Sequence, residues 1–158
     1  MGSIWGMKKW LTPLFALVAL FTFAGCQSTG DIMAIGLGVD VTKIERTTDG
    51  TFEVTWQLKN PNVATYLLDH STHKLFIDGT LVGTMAQEGR IAVPMQSFAV
   101  RTDKLVLGPS PAAAKLAQVL AQGSANYRLE STAWMLVVDE QIEKTLLTGS
   151  GTAPVTAK

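Results

Sequence analysis

Cysteine, histidine and charge are all scarce in this chain of 158 residues. The single cysteine, Cys26, excludes an intramolecular disulfide and a cysteine-rich metal site. Basic and acidic side chains number 13 each, and no basic cluster alternates with aromatic residues, so nucleic acid is not expected as a partner. Apolar residues make up 47% of the chain and charged residues 16%, a composition that favours one folded domain over a disordered chain.

The motifs of common catalytic sites are missing as well: the nucleophile elbow, the glycine-rich phosphate loop and the zinc-protease helix. The stretch from Asp69 to His73 does contain the residue types of a zinc site or a hydrolase triad. On a strand, His70 and His73 would point to opposite faces, whereas in a turn they would be able to converge. We interpret this stretch as a solvated loop, and we expect no enzyme, no cofactor and no metal.

The first 25 residues are predicted to be a signal peptide. Lys8 and Lys9 precede an apolar run from Trp10 to Phe23. This run is too short to cross a bilayer comfortably, but it has the length of a signal-peptide core.

The end of this segment, Phe23-Ala24-Gly25-Cys26, resembles the bacterial lipoprotein box. The resemblance implies that Cys26 is lipidated, with palmitate among its acyl chains, and that residues 26–36 tether the domain to a membrane. Gln27 stands where many inner-membrane lipoproteins have Asp. The same resemblance therefore implies an outer-membrane lipoprotein of the bacterial envelope that faces the periplasm.

The best-patterned strand lies between Thr51 and Asn62. Its apolar side chains alternate with polar ones, which predicts a strand with one buried and one wet face; they are Phe52, Val54, Trp56 and Leu58. Asn60-Pro61-Asn62 ends the strand, because Pro61 has no N–H for a ladder. We interpret Asn60 and Asn62 as residues that bond turn backbone rather than as a ligand site.

Turn signals divide the rest of the chain into short elements. The predicted strands are Leu37–Ile44, a Lys74–Gly83 hairpin turning at Asp78-Gly79, Ile91–Val93, Met95–Leu107 with a β-bulge near Thr102-Asp103, Tyr127–Val138 with Trp134 in the core, and Gln141–Thr148. One helix is predicted over Ser110–Gly123, with Ser110 as N-cap and Gly123 as the stop. Residues 149–158 are predicted to be a disordered tail. Together the elements predict a mostly β, two-sheet antiparallel sandwich with one short helix.

The order of these elements resembles the LEA type 2 domain, also called the water stress and hypersensitive response (WHy) domain. The resemblance covers residues 37–148 and depends on three features: Asn60-Pro61-Asn62 after an apolar strand, the Leu75–Gly79 hairpin and Val93-Pro94. It implies a fibronectin/immunoglobulin-like β-sandwich, a link to desiccation and water stress, and no known catalytic centre. It also fits bacterial lipoproteins that carry this domain.

The resulting expectation is a membrane-anchored, non-catalytic lipoprotein that protects client proteins or membranes by contact when water is lost. The alternative is an envelope binding module or assembly scaffold, which would use a sheet edge or an apolar pocket to hold other envelope proteins.

Overall fold

A computed structural model describes residues 36–136 and 142–158. The predicted signal peptide, Cys26 and the tether as far as residue 35 lie outside the described residues, and so do residues 137–141, where the predicted strands Tyr127–Val138 and Gln141–Thr148 meet. Within them the chain forms eight strands and one helix. In chain order they are β1 (Gly38–Arg46), β2 (Phe52–Asn60), β3 (Tyr66–Ile77), β4 (Thr80–Gln87), β5 (Ile91–Val93), β6 (Ser97–Leu107), α1 (Ala112–Gln122), β7 (Ser124–Leu136) and β8 (Ile142–Ala157).

Seven of the strands form a closed barrel, in the order β3-β4-β6-β2-β1-β8-β7 and back to β3. The predicted two-sheet sandwich is therefore wrong. Two long strands cause the closure, because each passes from one half of the barrel to the other. Strand β6 pairs with β2 along Ser97–Leu105 and then with β4 at Val106 and Leu107. Strand β8 pairs with β7 and then, in parallel, with the end of β1.

Glycines stand at both places where the halves of the barrel join. A Cβ on Gly83 of β4 would lie 2.5 Å from the carbonyl oxygen of Val106, and a Cβ on Gly149 of β8 would lie 1.7 Å from that of Val39. Side chains at these two positions would push the strands apart, so closure requires glycine there. Gly149 belongs to the segment predicted as a disordered tail. That prediction is also wrong, because residues 149–157 complete β8.

The prediction for the central strand is confirmed. The four apolar side chains of β2 all face the barrel interior, and the most exposed of them, Phe52, is only 7% exposed. The hairpin is confirmed too, since β3 and β4 meet at Asp78 and Gly79. Both of these residues have positive φ, as a tight two-residue hairpin turn requires.

The helix α1 packs over one end of the barrel and buries Ala112, Leu116 and Val119 against it. Its neighbours are β4, β7 and β8. No helix in the described ranges is both long and apolar enough to cross a membrane. Gly123 ends α1 in the left-handed conformation, as predicted, and its N–H donates to Val119 O. Ser110 is not the N-cap, because the helix begins after Pro111 and has no side-chain cap.

Two further predictions fail because the outer surface carries more apolar residues than expected. Strand β6 pairs with β2 without a register shift, so there is no bulge at Thr102-Asp103. The apolar residues of β6 change from even to odd positions along the strand because Phe98 and Val100 face solvent whereas Leu105 faces the core. Trp134 likewise lies on the outer, half-buried side of β7, whose inward residues here are Ala133 and Met135.

Candidate functional site: the Asn-Pro-Asn end of the barrel

The end of the barrel opposite α1 is organised around Asn60. We call it the Asn-Pro-Asn end, formed by residues 36–38, 60–65 and 93–98. Asn60 is 1% exposed. The two N–H groups of its Nδ2 are shared among the carbonyl oxygens of Ala64 (2.7 Å), Val93 (3.1 Å) and Pro94 (3.0 Å). Its Oδ1 accepts from the N–H of Asn62 (3.0 Å), so one amide joins the β2–β3 corner to the end of β5.

The interpretation of Asn60 as a residue that bonds backbone is therefore confirmed. Pro61 packs close to the first described residues, because a Cβ on Gly36 would lie 3.3 Å from its Cγ. The N–H of Gln96 donates to Asn62 O (3.0 Å), which holds the 61–65 and 94–97 loops side by side. The three residues of the motif thus form a structural corner that fixes two loops and the start of β1.

This corner presents apolar side chains to solvent. Val63 is 79% exposed, Met95 57% and Phe98 55%. A groove of about 490 Å³ runs between Phe98 and the start of the described chain, lined by Gly36, Gly38, Lys59, Asn60, Pro61, Gln96, Ser97 and Phe98. The loops 61–65 and 94–96 contain no Asp, Glu, Lys or Arg. Exposed large apolar residues that cluster in this way mark interaction surfaces more often than singly scattered ones do.

Above this corner the barrel interior holds a buried polar network centred on His73. Its two ring nitrogens lie 2.9 Å from Ser71 Oγ and 2.7 Å from Ser131 Oγ. Ser71 Oγ in turn donates to Gln87 Oε1 (3.2 Å), and Gln87 Nε2 donates to Gly89 O. The indole of Trp56 lies against the imidazole, with ring centroids 4.4 Å apart.

Burial fixes the state of His73, because it lowers the pKa of the imidazole to about 4 and so keeps the ring neutral at pH 7. Since Ser71 gives its proton to Gln87, it accepts from Nε2–H of His73. The other nitrogen of the neutral ring, Nδ1, then accepts from Ser131. The group is 2% exposed and its hydrogen-bond partners are serine hydroxyls. We conclude that the network satisfies polar groups inside the barrel rather than reaching a substrate.

The interpretation of Asp69–His73 as a solvated loop is wrong, because these residues lie within β3, where Ser71 and His73 are buried. The strand separates the two histidines that the sequence placed near each other. His73 faces the interior, whereas His70 lies on the outer face and stacks on Trp134 with centroids 4.3 Å apart. Hydrogen bonds from His70 (2.9 Å) and Arg90 (3.1 Å) hold the pKa of Asp69 below its usual value. Among residues 36–136 and 142–158, no three His, Cys, Asp or Glu side chains group together as metal ligands would.

Sequence reasoning missed the polar network and the exposed apolar cluster. Ser71 and His73 share the parity of Leu75 and Ile77 along β3, and this alternation was the available signal that both face inward. Phe98 alternates in the same way within β6, so periodicity alone assigned it to a buried face.

No family model matches this chain, and neither does any curated protein. Its backbone is similar to several solved structures. A protein from Archaeoglobus fulgidus has 15% identity and a TM-score of 0.47, over 75% of this chain and 97% of that one. A protein from Arabidopsis thaliana has 12% identity and a TM-score of 0.48, over 77% and 82%. A putative late embryogenesis abundant (LEA) protein has 10% identity and a TM-score of 0.43, over 92% and 85%.

One of these similar structures is thus named a putative LEA protein, without a type. At such identities and TM-scores the likeness concerns the general course of the chain and says nothing about activity. The family assignment therefore stays a prediction, supported by the residues themselves.

Proposed function

We propose that this protein is a membrane-anchored, non-catalytic lipoprotein of the response to desiccation and water stress, which protects proteins or membranes by contact. The observation that carries the proposal is the bonding of Asn60 Nδ2 to Val93 O and Pro94 O. Two of the sequence features that resemble the LEA type 2 domain, Asn60-Pro61-Asn62 and Val93-Pro94, lie more than 30 positions apart along the chain. In space they form one hydrogen-bonded corner, as parts of a single domain signature would.

The barrel interior also suits a protein that works as water is lost. Every buried side-chain nitrogen or oxygen of the described residues has a hydrogen-bond partner within the protein. Unpaired buried polar groups normally need ordered water, and losing that water costs stability. Because Asn60, His73 and Gln87 are bonded to protein atoms, we expect the fold to keep its internal bonds during drying.

A drying assay tests the protective role. A desiccation-sensitive enzyme is dried and rehydrated with the purified full chain or with an equal mass of albumin. We expect more recovered activity with the chain, and recovery equal to that with albumin would count against protection by contact. Survival of a deletion strain after desiccation or osmotic shock provides the corresponding measurement in cells.

The anchor is tested separately. We expect the Cys26→Ser precursor to remain uncleaved and to incorporate no radioactive palmitate, whereas the wild-type chain incorporates it. Normal labelling of the variant would exclude Cys26 as the lipidation site. Fractionation of the labelled wild-type protein then tests its predicted place in the outer membrane.

The open edge of β6 favours a second candidate, an envelope binding module or assembly scaffold. Strand β6 pairs with β2 on one side along Ser97–Leu105, but on its other side the described residues pair only at Val106 and Leu107. Phe98 and Val100, on the outer face of the unpaired part, are exposed. An extended segment of a partner protein can add to an edge of this kind by β-augmentation.

Crosslinking in living cells followed by mass spectrometry distinguishes the two candidates. A single stoichiometric partner would favour the scaffold, and many weakly crosslinked clients would favour protection. A Val100→Pro variant would remove one edge N–H and disturb strand addition without touching the Asn60 corner, so it should reduce only a β6-mediated partner.

A further inference from the structure

We infer that the Asn-Pro-Asn end of the barrel docks directly on the lipid bilayer, with Val63, Met95 and Phe98 inserted at the membrane interface. This inference rests on the proposed anchoring at Cys26 and adds the orientation and the contact surface to it. Three observations support it: where the chain enters the barrel, which side chains are exposed there, and how charge is distributed between the two ends.

The first observation is the position of the chain start. The described chain begins at Gly36, against Pro61, in the groove that Phe98 also lines. Nine residues, 27–35, separate Cys26 from Gly36. Even fully extended, this stretch spans at most ~35 Å. A lipid on Cys26 therefore attaches the barrel to the bilayer through its Asn-Pro-Asn end and not through its helix end.

The second observation is the side chains on that end. Val63, Met95 and Phe98 are each more than half exposed, and the hydrogen bond from Gln96 N to Asn62 O keeps the loops that carry them together. Asn60 ties both loops to β5 from within. The apolar groups are thus held on a rigid base, and their insertion would bury apolar surface without first ordering a loop.

The third observation is the contrast in charge. The 61–65 and 94–96 loops contain no charged residue. Elsewhere at this end Lys59 pairs with Asp40 at 2.5 Å and Arg90 with Asp69 at 3.1 Å, and Glu88 is exposed in the turn between β4 and β5. The opposite end carries ion pairs between Lys158 and Glu45 (3.3 Å) and between Lys115 and Asp78 (2.7 Å). Desolvating the 61–65 and 94–96 loops at a bilayer therefore costs less than desolvating the ion pairs of the helix end.

A lipid surface fits the 61–65 and 94–96 loops better than a basic or acidic partner does, because their exposed side chains offer apolar area and no charge. Amphipathic surfaces without basic residues bind bilayers by apolar insertion, so the contact should depend little on anionic lipid or on salt. The short tether gives the Asn-Pro-Asn end a high local concentration at the bilayer. The apolar area of three side chains is therefore enough for the end to bind there.

The lone cysteine makes the test clean. Lipid attachment blocks the sulfur of Cys26, so one introduced cysteine becomes the only thiol that a fluorescent maleimide can label. The acylated full chain is reconstituted into phosphatidylcholine vesicles that contain lipids with spin-labelled acyl chains. Probes are placed with Val63→Cys at the Asn-Pro-Asn end and with Thr48→Cys in the exposed turn between β1 and β2, near the helix end.

We expect the probe at position 63 to be quenched severalfold more strongly than the probe at position 48, and equally so with and without anionic lipid. Adding Met95→Ser and Phe98→Ser should reduce quenching at position 63 severalfold. Leu146→Ser provides the matched control, because Leu146 is 75% exposed but lies on the side of the barrel, and it should change nothing.

Equal quenching at positions 63 and 48, or quenching at 63 that ignores the loss of Met95 and Phe98, would overturn the docking inference. A wild-type chain whose Cys26 reacts with the maleimide would instead overturn the anchoring on which it rests. The two failures are therefore distinguishable. Thermal melting of each variant confirms that these exposed substitutions leave the barrel folded.

Discussion

The two halves of the barrel interior bury different chemistry. Toward the Asn-Pro-Asn end lie all the buried polar side chains of the described chain: Asn60, Ser71, His73, Gln87 and Ser131. Toward the helix end the corresponding positions of β3 are Leu75 and Ile77, and Leu116 of α1 packs there. An apolar core tolerates exchanges that conserve volume, whereas a buried polar group must meet its partner in one geometry. We therefore expect substitutions in the polar half to destabilise the fold when they remove a hydrogen-bonding group. Substitutions in the apolar half should destabilise it when they change the side-chain volume.

The largest effect should come from Asn60. Asn60→Ala leaves the carbonyl groups of Ala64, Val93 and Pro94 without their shared donor, and we expect it to lower the free energy of unfolding by about 4 kcal/mol. Asn60→Leu, which restores the volume, should be as damaging. Asn126→Ala, an exposed asparagine near the helix end, should cost less than about 1 kcal/mol in the same urea titration. A small loss of stability in both Asn60 variants would contradict the expected difference between the polar and apolar halves.

The apolar half should show the reverse pattern. Leu116→Ala removes a fully buried side chain and should cost about 3 kcal/mol, whereas Leu116→Met should cost less than about 1.5 kcal/mol. Urea denaturation measures both, with Gln122→Ala at the exposed last position of α1 as the control. If Met were as damaging as Ala, volume would not be the deciding property at this end.

His73 makes the polar half sensitive to acid. Its pKa is about 4 in the folded state, below the unfolded value near 6.5, so the unfolded chain binds more protons between these two pH values. The stability contributed by the neutral imidazole is complete above pH 6.5 and is lost as pH falls toward 4. From pH 7 to pH 4.5 the wild-type chain should lose about 2 kcal/mol more than His73→Gln does. Gln122→Ala, which removes no titrating group, is the control and should keep the wild-type slope, and parallel slopes for wild type and His73→Gln would refute the assignment.

The smallest effect concerns the end of α1. Gly123 has φ 78°, and a Cβ there would meet nothing within 4 Å, so Gly123→Ala should cost only the backbone strain of about 1 kcal/mol. Gly123→Asn should cost less, because asparagine enters the left-handed region more readily. Thermal melting resolves both changes. A loss of stability as large as that of Leu116→Ala would contradict this prediction, because it would show that the added Cβ disturbs packing at the end of α1.

Local patterns were enough to predict much of the chain. The alternation in β2, the Asp78-Gly79 turn and the Gly123 stop all follow from properties of neighbouring residues: side-chain period, positive φ and the missing N–H of proline. The predictions of a Ser110 cap and of a bulge at Thr102-Asp103 were wrong, although they used the same kind of local pattern. Each was inferred from neighbours alone, whereas the helix start and the outward apolar residues of β6 depend on what lies across the barrel.

Of the candidate site, the sequence identified Asn60-Pro61-Asn62 and its role in bonding backbone, but not its partners. Val93 and Pro94 lie far from Asn60 in the chain, and no local rule connects them. The sequence did not predict the exposure of Val63, Met95 and Phe98 either. Apolar residues are expected to be buried, and whether another element covers them depends on the tertiary structure.

By itself, the sequence determined the extent and apolar face of β2, the Asp78-Gly79 turn, the Gly123 stop and that Asn60-Pro61-Asn62 forms a corner, because these depend on side-chain periodicity and on the backbone limits of proline and glycine. It missed residues 69–73 of β3 and 149–157 of β8. Only the tertiary structure decided that the strands close into a barrel. Closure depends on two contacts between distant strands, at Gly83 against Val106 and at Gly149 against Val39. At both positions the lack of a side chain lets another strand come close. The sequence around each glycine does not show which strand that is.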